Sequence, residues 1–397
     1  MLVEFSVQNF RSIHQRQTLS LVASKDKTFR DTHTIETKVS AVPHVLRSAG
    51  MYGANGSGKT NLLHALGYFQ WFVKSNFSRS PEEATALVSF AFQDEEGRQS
   101  PAEFEVTLLL DGVRYQYGFR LDAQRIHEEW LLVYKSQKGQ TWFERKYHPD
   151  TGKYEFQFSE KLLGAKKVWQ ESTRPNALFL STAVQFNSEM LHPVFDWIAN
   201  KMVFIALFND AHLFSGYTAS RLTDPVFRGR ILSFMQGSDI SVSDIQLRSD
   251  NNRVYFLHRA ANRDAFLDLA DESLGIQRLF ALTGPVLNVL EQGLLLVVDE
   301  LESSLHPLLV QRLVELFHDP KVNTKGAQLV FTTHNTFLFD QSMFRRDQIW
   351  LVEKNTQQAT ELIPLTEFQI RKDLVLDKAY LEGRFGAIPI FSDLKEV

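Results

Sequence analysis

Gly53-Ala54-Asn55-Gly56-Ser57-Gly58-Lys59-Thr60 is the stretch that decides which fold the chain predicts. It satisfies the pattern G-x-x-x-x-G-K-[ST], in which backbone N–H groups converge on phosphate oxygens. The lysine reaches the β- and γ-phosphates, and the final hydroxyl is offered to Mg²⁺. A surface turn rich in glycine and serine is the alternative. An apolar strand precedes the segment and an amphipathic helix follows it, which favours a phosphate-binding loop (P-loop).

A second acidic motif follows about 240 residues later, where an aliphatic run over residues 294–298 ends in Asp299 and Glu300. An ionised pair at the end of a buried strand is costly unless it meets a cation or has a catalytic task. In P-loop enzymes such an Asp holds Mg²⁺ and a neighbouring residue orients the attacking water. We assign Asp299 to the metal, together with Thr60, and Glu300 to the base. Two acids that merely begin a loop are the alternative.

A third motif, Thr332-Thr333-His334, ends the next apolar strand, which begins at Gln328. A single histidine is more often structural than catalytic. At a strand end beside a γ-phosphate, however, an imidazole can donate a hydrogen bond or titrate near neutral pH. We therefore predict that His334 senses the γ-phosphate.

The segment Glu272-Ser273-Leu274-Gly275-Ile276-Gln277-Arg278-Leu279 lies upstream of the acids. Ser273 is a good N-cap, so the simplest interpretation is the start of a helix. A functional interpretation is compatible with it. The N-terminus of a helix capped by serine suits a phosphate, here a γ-phosphate presented by a second protomer.

Composition sets limits on the class of protein. The 397 residues predict two or three domain-sized units, and a net charge of −4 gives no global signal for nucleic acid. There is no cysteine, so disulfides and thiolate metal sites are excluded. Residues 1–5 do not resemble a signal peptide, and the aliphatic run at 294–298 is too short to cross a bilayer. We expect a cytoplasmic protein without a membrane partner.

The pattern of apolar residues predicts an α/β protein in three parts. We divide the chain into a lobe with the P-loop (1–137), a mostly helical insertion (138–262) and a lobe with the remaining motifs (263–397). Strands are expected at 2–8, 17–22, 47–51, 103–110, 113–121, 129–134, 294–298, 328–332, 348–353 and 360–365, and helices in the insertion at 158–171 and 187–200.

The order of these motifs resembles the ABC ATPase head, particularly its soluble RecF/SMC/OLD branch. Asn9-Phe10-Arg11-Ser12 after the first strand and Asn61 after the P-loop also resemble that branch. Three further segments are similar to AbiLi-like abortive-infection ATPases, which include the RloA type. They are Arg174-Pro175-Asn176-Ala177-Leu178-Phe179-Leu180-Ser181, Arg346-Asp347-Gln348-Ile349-Trp350 and Tyr380-Leu381-Glu382-Gly383-Arg384-Phe385-Gly386-Ala387-Ile388-Pro389.

The resemblance implies an ABC-type P-loop ATPase head, with a mixed sheet plus an antiparallel β subdomain and a largely helical insertion. It implies that heads pair into a homo-oligomer, with ATP and Mg²⁺ held between one P-loop and the partner's signature helix. Lys59, Thr60, Asp299, Glu300 and His334 would act within one chain, and Ser273 and Gly275 across the pair. A separate effector, an RloB-like or Toprim-type nuclease, would be gated by the head.

Two departures from the transporter-type pattern are evident. Such a signature has two consecutive glycines, whereas Gly275 is followed by Ile276. The glutamine of the Q-loop also has no clear counterpart, and Gln93 is the candidate.

Three functions follow from these expectations. The first is a defence-system ATPase that gates a separate effector, and the second is a RecF-like repair ATPase that binds DNA through paired heads. The third is a slow nucleotide switch in which hydrolysis serves as a timer. About 60 residues follow His334, too few for a Toprim nuclease, so we expect no nuclease activity. Asp264, Asp268 and Asp271 recur at helical spacing and are predicted to form a solvated helix face.

Overall fold

The computed structural model of the chain describes residues 1–75, 80–93, 100–205, 211–248, 250–371 and 374–389. These residues form eighteen strands and ten α-helices. The strands are β1 (Leu2–Gln8), β2 (Gln17–Ser20), β3 (Thr34–Glu36), β4 (His44–Leu46), β5 (Ser48–Tyr52), β6 (Ala102–Leu110), β7 (Val113–Leu121), β8 (Ile126–Tyr134), β9 (Gln140–His148), β10 (Lys153–Phe158), β11 (Met202–Ile205), β12 (Asp244–Arg248), β13 (Arg253–Arg259), β14 (Asp264–Asp268), β15 (Leu295–Val298), β16 (Gln328–Thr333), β17 (Ile349–Lys354) and β18 (Thr360–Pro364). The helices are α1 (Arg30–His33), α2 (Lys59–Ser75), α3 (Lys166–Ser172), α4 (Phe179–Gln185), α5 (His192–Asn200), α6 (Ala211–Arg221), α7 (Pro225–Gln236), α8 (Leu274–Gln292), α9 (Pro307–His318) and α10 (Leu376–Leu381).

A mixed sheet carries the predicted motifs. Its strand order is β11-β15-β16-β5-β17-β18, and all neighbours are parallel except the last pair. Every residue of β5, β15 and β16 is buried, as expected for strands covered on both faces. Because these three strands are adjacent and parallel, their carboxyl ends meet at one edge of the sheet. The P-loop, the two acids and His334 follow those ends, so the topology brings them together.

A second, antiparallel sheet forms the β subdomain. Its order is β10-β9-β8-β7-β6-β1-β2. The P-loop helix α2 packs on it through aromatic contacts, in which the ring of Phe69 lies 5.8 Å from that of Phe5 and 5.4 Å from that of Phe119. The predicted α/β fold, a mixed sheet plus an antiparallel β subdomain, is therefore confirmed. None of the helices in the described ranges is long and apolar enough to traverse a bilayer.

One buried side chain joins the two sheets at their closest approach. Gln328, at the start of β16, accepts a hydrogen bond from the N–H of Leu2 (2.7 Å) and donates to the carbonyl of Leu2 (2.9 Å). Its amide also donates to the carbonyl of Leu46 (3.1 Å). The glutamine thus satisfies backbone groups that burial would otherwise leave unpaired. This connection fixes the β subdomain against the sheet that carries the site.

Several element boundaries differ from the sequence predictions. The helix expected at 158–171 begins only at Lys166, and residues before it form β9 and β10, which extend the antiparallel sheet beyond residue 137. Tyr154, Phe156 and Phe158 alternate with exposed residues along β10, which is the period of a strand. The helix expected at 187–200 begins at His192, after a turn. The strand expected at 17–22 ends at Ser20.

The prediction of an acidic helix face at residues 264–271 was wrong. Asp264 and Asp268 lie on strand β14, and Asp271 ends a short 3-10 turn. The strand is stabilised by cross-strand ion pairs, in which Arg253 contacts Asp268 at 3.1 Å and Arg259 contacts Asp264 at 3.8 Å.

Candidate nucleotide site

The P-loop runs from the end of β5 into the first turn of α2, as its motif predicts. Gly58 has φ +107°, a conformation that side chains disfavour, and a Cβ there would collide with the hydroxyl of Thr360. A Cβ at Gly53 would similarly strike the carbonyl of Val352. These two glycines are therefore required by the close approach of β17 and β18 to the loop.

Distant segments hold the loop in place. The hydroxyl of Thr360 on β18 donates to the carbonyl of Ser57 (2.9 Å) and lies 2.7 Å from the hydroxyl of Ser12. The amide of Asn61 donates to the same Ser12 hydroxyl (2.8 Å), and Arg11 donates to the amide oxygen of Asn61 (3.4 Å). The segment after β1 is thus brought to the P-loop. Motif reasoning found no role for Thr360, because its partners lie about 300 residues away in sequence.

Lys59 is folded back onto its own loop. Its ammonium donates to the carbonyls of Gly53 (2.8 Å) and Ala54 (3.1 Å). Burial lowers the pKa of Lys59 to about 8, while the charges of Asp299, Glu302 and Glu300 act in the opposite direction. The carbonyls hold the ammonium where the motif would present it to phosphate oxygens.

Asp299 and Thr60 come together as predicted. The hydroxyl of Thr60 donates to the carboxylate of Asp299 at 3.0 Å. Thr332, at the end of β16, donates to the other carboxylate oxygen at 2.6 Å and accepts from the N–H of Glu300 at 2.8 Å. One buried hydroxyl therefore orients the metal-ligand candidate and fixes the backbone of the base candidate.

Glu300 follows β15 with φ +48°, a strained value for a residue with a side chain. Its side chain is exposed at the sheet edge, while Asp299 beside it is buried. The turn thus separates two adjacent acids into different environments, one suited to a metal and the other to water.

His334 lies at the same edge, with an exposed side chain. Its backbone N–H donates to a carboxylate oxygen of Glu302 at 2.6 Å, and the second oxygen of Glu302 is buried without a partner among the described residues. Sequence reasoning did not identify Glu302. The sequence feature that could have identified it is the third acid in Asp299-Glu300-Leu301-Glu302.

Ser273 caps helix α8, and its hydroxyl accepts a hydrogen bond from the N–H of Ile276 at 3.4 Å. The predicted N-cap is confirmed. Gly275 faces the carbonyl of Ser304, which a Cβ would approach to 3.0 Å. These residues line a cleft of about 600 Å³, here called the signature cleft, together with His306 and others.

The P-loop opens on a different cleft. This P-loop cleft has a volume of about 720 Å³ and is lined by Gly53, Asn55 and His334, with residues from the C-terminal end of the described chain. The two clefts have no lining residue in common. Within one chain, Ser273 and Gly275 therefore line a different cleft from Gly53, Asn55 and His334.

Arg278 was not assigned a role from the sequence. It lies one turn along α8, and its Nε and one Nη are buried without a hydrogen-bond partner among the described residues. Burial lowers its pKa, and the charge of Glu300 acts in the opposite direction. The guanidinium is thus within electrostatic reach of the base candidate, on the helix that begins with the signature segment.

Gln93, the candidate for the Q-loop, lies beside the segment after β1. Its amide donates to the side chain of Asn9 at 2.5 Å and to the carbonyl of Phe90 at 3.2 Å. These contacts position the loop 87–93 and give no indication of a metal contact.

The donor set fits ATP with Mg²⁺. The loop N–H groups and the start of α2 suit phosphate oxygens, and Lys59 supplies a cation. Thr60 and Asp299 supply one hydroxyl and one carboxylate, ligands that Mg²⁺ uses in P-loop sites. The hydroxyl of Ser57 is buried in the loop without a partner among the described residues.

Comparison with known families gives one match that covers most of the chain. The sequence profile of the family described as "AAA domain, putative AbiEii toxin, Type IV TA system" matches residues 48–340. This range contains the P-loop, the signature segment, both acids and His334. None of the curated proteins matches the chain.

Solved structures similar to the chain include heads of SMC proteins and a transporter component. The SMC head domain from Thermotoga maritima is 15% identical with a TM-score of 0.41, covering 93% of this chain and 99% of that one. An SMC head bound to the C-terminal winged-helix domain of ScpA is 14% identical with a TM-score of 0.47, covering 96% and 99%. CbiO1 from Clostridium perfringens, part of the ABC transporter complex cbiONQ, is 11% identical with a TM-score of 0.29, covering 84% and 88%.

Proposed function

The chain belongs to this family of AAA domains, and from that premise we propose that it is the ATP-binding and ATP-hydrolysing subunit of a two-component abortive-infection system directed against phage. The observation that carries the proposal is the cluster of Thr60, Asp299 and Thr332, which prepares a metal site at the mouth of the P-loop. We place the protein in the cytoplasm, which its lack of cysteine fits.

Hydrolysis follows from the roles of the chain's own residues. Lys59 and the loop N–H groups bind the phosphates, and Thr60 with Asp299 would hold Mg²⁺, which neutralises developing charge when bound. Glu300, exposed beside the buried Asp299, orients and deprotonates the attacking water. His334 lines the P-loop cleft, where its imidazole would contact the γ-phosphate. Slow turnover, as in a nucleotide switch, is compatible with these roles.

Pairing of two heads is supported by the separation of the two clefts. We infer that Ser273 and Gly275, which line a cleft of their own, meet a phosphate held at the P-loop of a second copy. Apolar side chains flank both clefts: Leu274 is 71% exposed, Leu308 57% and Phe337 49%. Such a patch favours contact with another protein surface. We propose a homo-oligomer built on this isologous contact.

A separate effector is the second component of the proposal. The AbiLi-like and RloA-like segments support an ATPase that gates an RloB-like or Toprim-type nuclease encoded by a neighbouring gene. Within the described ranges, no group of three or more His, Cys, Asp or Glu side chains is arranged to hold a metal ion.

A phage challenge tests this function. Cells carrying the gene and its neighbour should reduce plaque formation, and Lys59→Ala and Glu300→Gln should each abolish the reduction at equal protein level. Lys146→Ala, at an exposed position on β9, should protect like the wild type. Full protection by Lys59→Ala, or protection without the neighbouring gene, would contradict the proposal.

The RecF-like alternative gains no support from the surface of the antiparallel sheet. Arg120 on β7 pairs with Glu103 (2.7 Å) and Glu128 (3.6 Å), and Lys146 on β9 also pairs with Glu128 (3.6 Å). Arg120 and Lys146 are thus neutralised by carboxylates, which disfavours their contact with a phosphate backbone.

A further inference from the structure

The P-loop cleft has a second wall that comes from the end of the described chain. Residues 376–389, here called the C-terminal hook, contribute Tyr380, Leu381, Ile388 and Pro389 to it. The opposite wall is formed by the P-loop and His334. The P-loop cleft is therefore largely apolar on the side formed by the hook.

Ring stacking and hydrogen bonds hold the hook in this position. The ring of Tyr380 stacks on that of Phe339 at 4.8 Å with an interplanar angle of 15°. Its hydroxyl donates to the carbonyl of Ala387 (3.0 Å), and the N–H of Ala387 donates to the carboxylate of Glu353 (2.9 Å) on β17. The loop between Tyr380 and Ala387 is thus closed on itself and tied to the mixed sheet. Leu381, which follows the anchored Tyr380, remains 61% exposed.

The signature segment presents a matching apolar surface. Leu274, directly after the capping Ser273, is 71% exposed, and Ile276 follows Gly275 in the place where transporter-type signatures have a second glycine. Gly275 lies against the carbonyl of Ser304, so this side of the segment is already covered within the chain. The side chain of Leu274 has no comparable cover.

We propose that the C-terminal hook receives the signature segment of a second copy of this chain, with Leu274 of that copy packed on Leu381 and Ile388. The inference rests on the proposed pairing of heads and names one apolar contact of that pair. When Ser273 of one copy faces the P-loop of the other, the residue next to it meets the apolar wall of that cleft. Two-fold symmetry makes the contact twice in each pair.

Charge substitution and complementation test this contact. All variants carry Glu300→Gln, so that ATP-Mg²⁺ holds the pair together, and mass is followed by light scattering across a range of protein concentrations. Leu274→Asp alone and Leu381→Lys alone should each weaken ATP-dependent pairing at least about tenfold, because a charge is buried against an apolar side chain. Both positions are exposed in the single chain, so folding should be preserved.

An equimolar mixture of the two variants should regain pairing. In the mixed pair, one contact is Leu274 on Leu381 as in the parent, and the other is Asp on Lys, which is favourable. Recovery to within a fewfold of the parent's dissociation constant is expected, and recovery also shows that both variants are folded. Leu163→Asp, at a position 68% exposed between β10 and α3, is the matched control and should pair like the parent.

The experiment distinguishes failure of the contact between Leu274 and Leu381 from failure of ATP-dependent head pairing. If the parent pairs with ATP but Leu381→Lys pairs equally well, the hook is not the receptor and head pairing stands. If Leu381→Lys pairs more tightly, the hook obstructs the site and the inference is overturned. If the mixture stays unpaired, the contact between the two positions is refuted. If the parent itself does not pair with ATP, the proposed function fails, and the inference fails with it.

Discussion

Thr332 shows how much one side chain can determine at this site. Its hydroxyl donates to Asp299 at 2.6 Å and accepts from the N–H of Glu300 at 2.8 Å, so it orients both acids. Residues that orient metal ligands in this way typically change metal affinity or activity by about 10–100-fold when they are lost.

Thr332→Val should therefore reduce the rate of ATP hydrolysis by roughly 10–100-fold at fixed Mg²⁺, and part of the loss should be recovered at high Mg²⁺. Thr332→Ser keeps the hydroxyl and should stay within about threefold of the wild type. The measurement is a phosphate-release assay over a Mg²⁺ titration. Equal rates for the valine and serine variants would show that the hydroxyl has no role in the metal site.

The pKa of Lys59, lowered by burial to about 8, predicts that the affinity for ATP depends on pH. Above that pH the free protein carries a neutral lysine, which must take up a proton when it binds phosphate. The affinity for ATP should then fall by up to about tenfold for each pH unit above 8, because one pKa unit corresponds to 1.36 kcal/mol. Below pH 8 the lysine is already charged, so this contribution is constant.

Nucleotide titration of the Glu300→Gln variant between pH 7 and 9.5 measures this effect without hydrolysis. Lys59→Arg stays charged throughout this range and should lose the slope, whatever its absolute affinity. A constant affinity from pH 7 to 9.5 in the Glu300→Gln variant that retains Lys59 would contradict a lowered pKa for Lys59.

Among the elements, β8, β9 and α4 are joined by a buried ion pair. Glu129 on β8 accepts from the N–H groups of Phe179 (2.6 Å) and Leu180 (2.9 Å) at the start of α4. Arg145 on β9 donates to the carbonyls of Ala177 (2.6 Å) and Arg174 (3.0 Å). Burial raises the pKa of Glu129 and lowers that of Arg145, and each charge opposes the shift of the other. The segment resembling AbiLi-like ATPases is thus attached to the antiparallel sheet.

Arg145→Met should lower the free energy of unfolding by about 3–5 kcal/mol, since it leaves the buried Glu129 without its counter-charge. Lys146→Met, at the next position on β9, removes an exposed pair with Glu128 and should cost less than about 1 kcal/mol. Urea unfolding of both variants gives the comparison. Equal destabilisation would mean that the buried pair contributes no more than a surface one.

Some strands could be predicted from the sequence and others could not. Strands β5, β15 and β16 were predictable because continuous apolar runs end in motif residues. Strand β10 was not predicted, although Tyr154, Phe156 and Phe158 alternate with polar residues, and only Phe158 fell within the helix expected at 158–171. Asp264 and Asp268 were placed on a helix because a spacing of four residues lies on one face of a strand as well as of a helix.

Within the site, Lys59, Thr60, Asp299, Glu300 and His334 could be named because each belongs to a local motif whose chemistry is known. Other residues reach the site only because the fold brings distant segments of the chain together. Thr360 reaches the P-loop from β18, and Arg278 approaches Glu300 along α8. No local pattern marks such residues, since their partners are set by the order of strands in the sheet.

For the whole molecule, the fold gathers most of the predicted site residues at one sheet edge and leaves two of them on a separate cleft. The P-loop, Asp299, Glu300 and His334 meet at one edge of the mixed sheet, whereas Ser273 and Gly275 line the signature cleft. Two copies related by a two-fold axis would complete both sites at once. ATP would then be the ligand that joins them, and hydrolysis the event that releases them.

The most direct test is the mass of the protein in solution, measured by light scattering for wild type and Glu300→Gln, each with and without ATP-Mg²⁺. The account predicts that Glu300→Gln loses hydrolysis and shifts to a larger assembly with ATP, while the wild type shifts only transiently. If neither protein changes mass and Glu300→Gln hydrolyses ATP at the wild-type rate, both the assignment of Glu300 and the pairing of heads are contradicted.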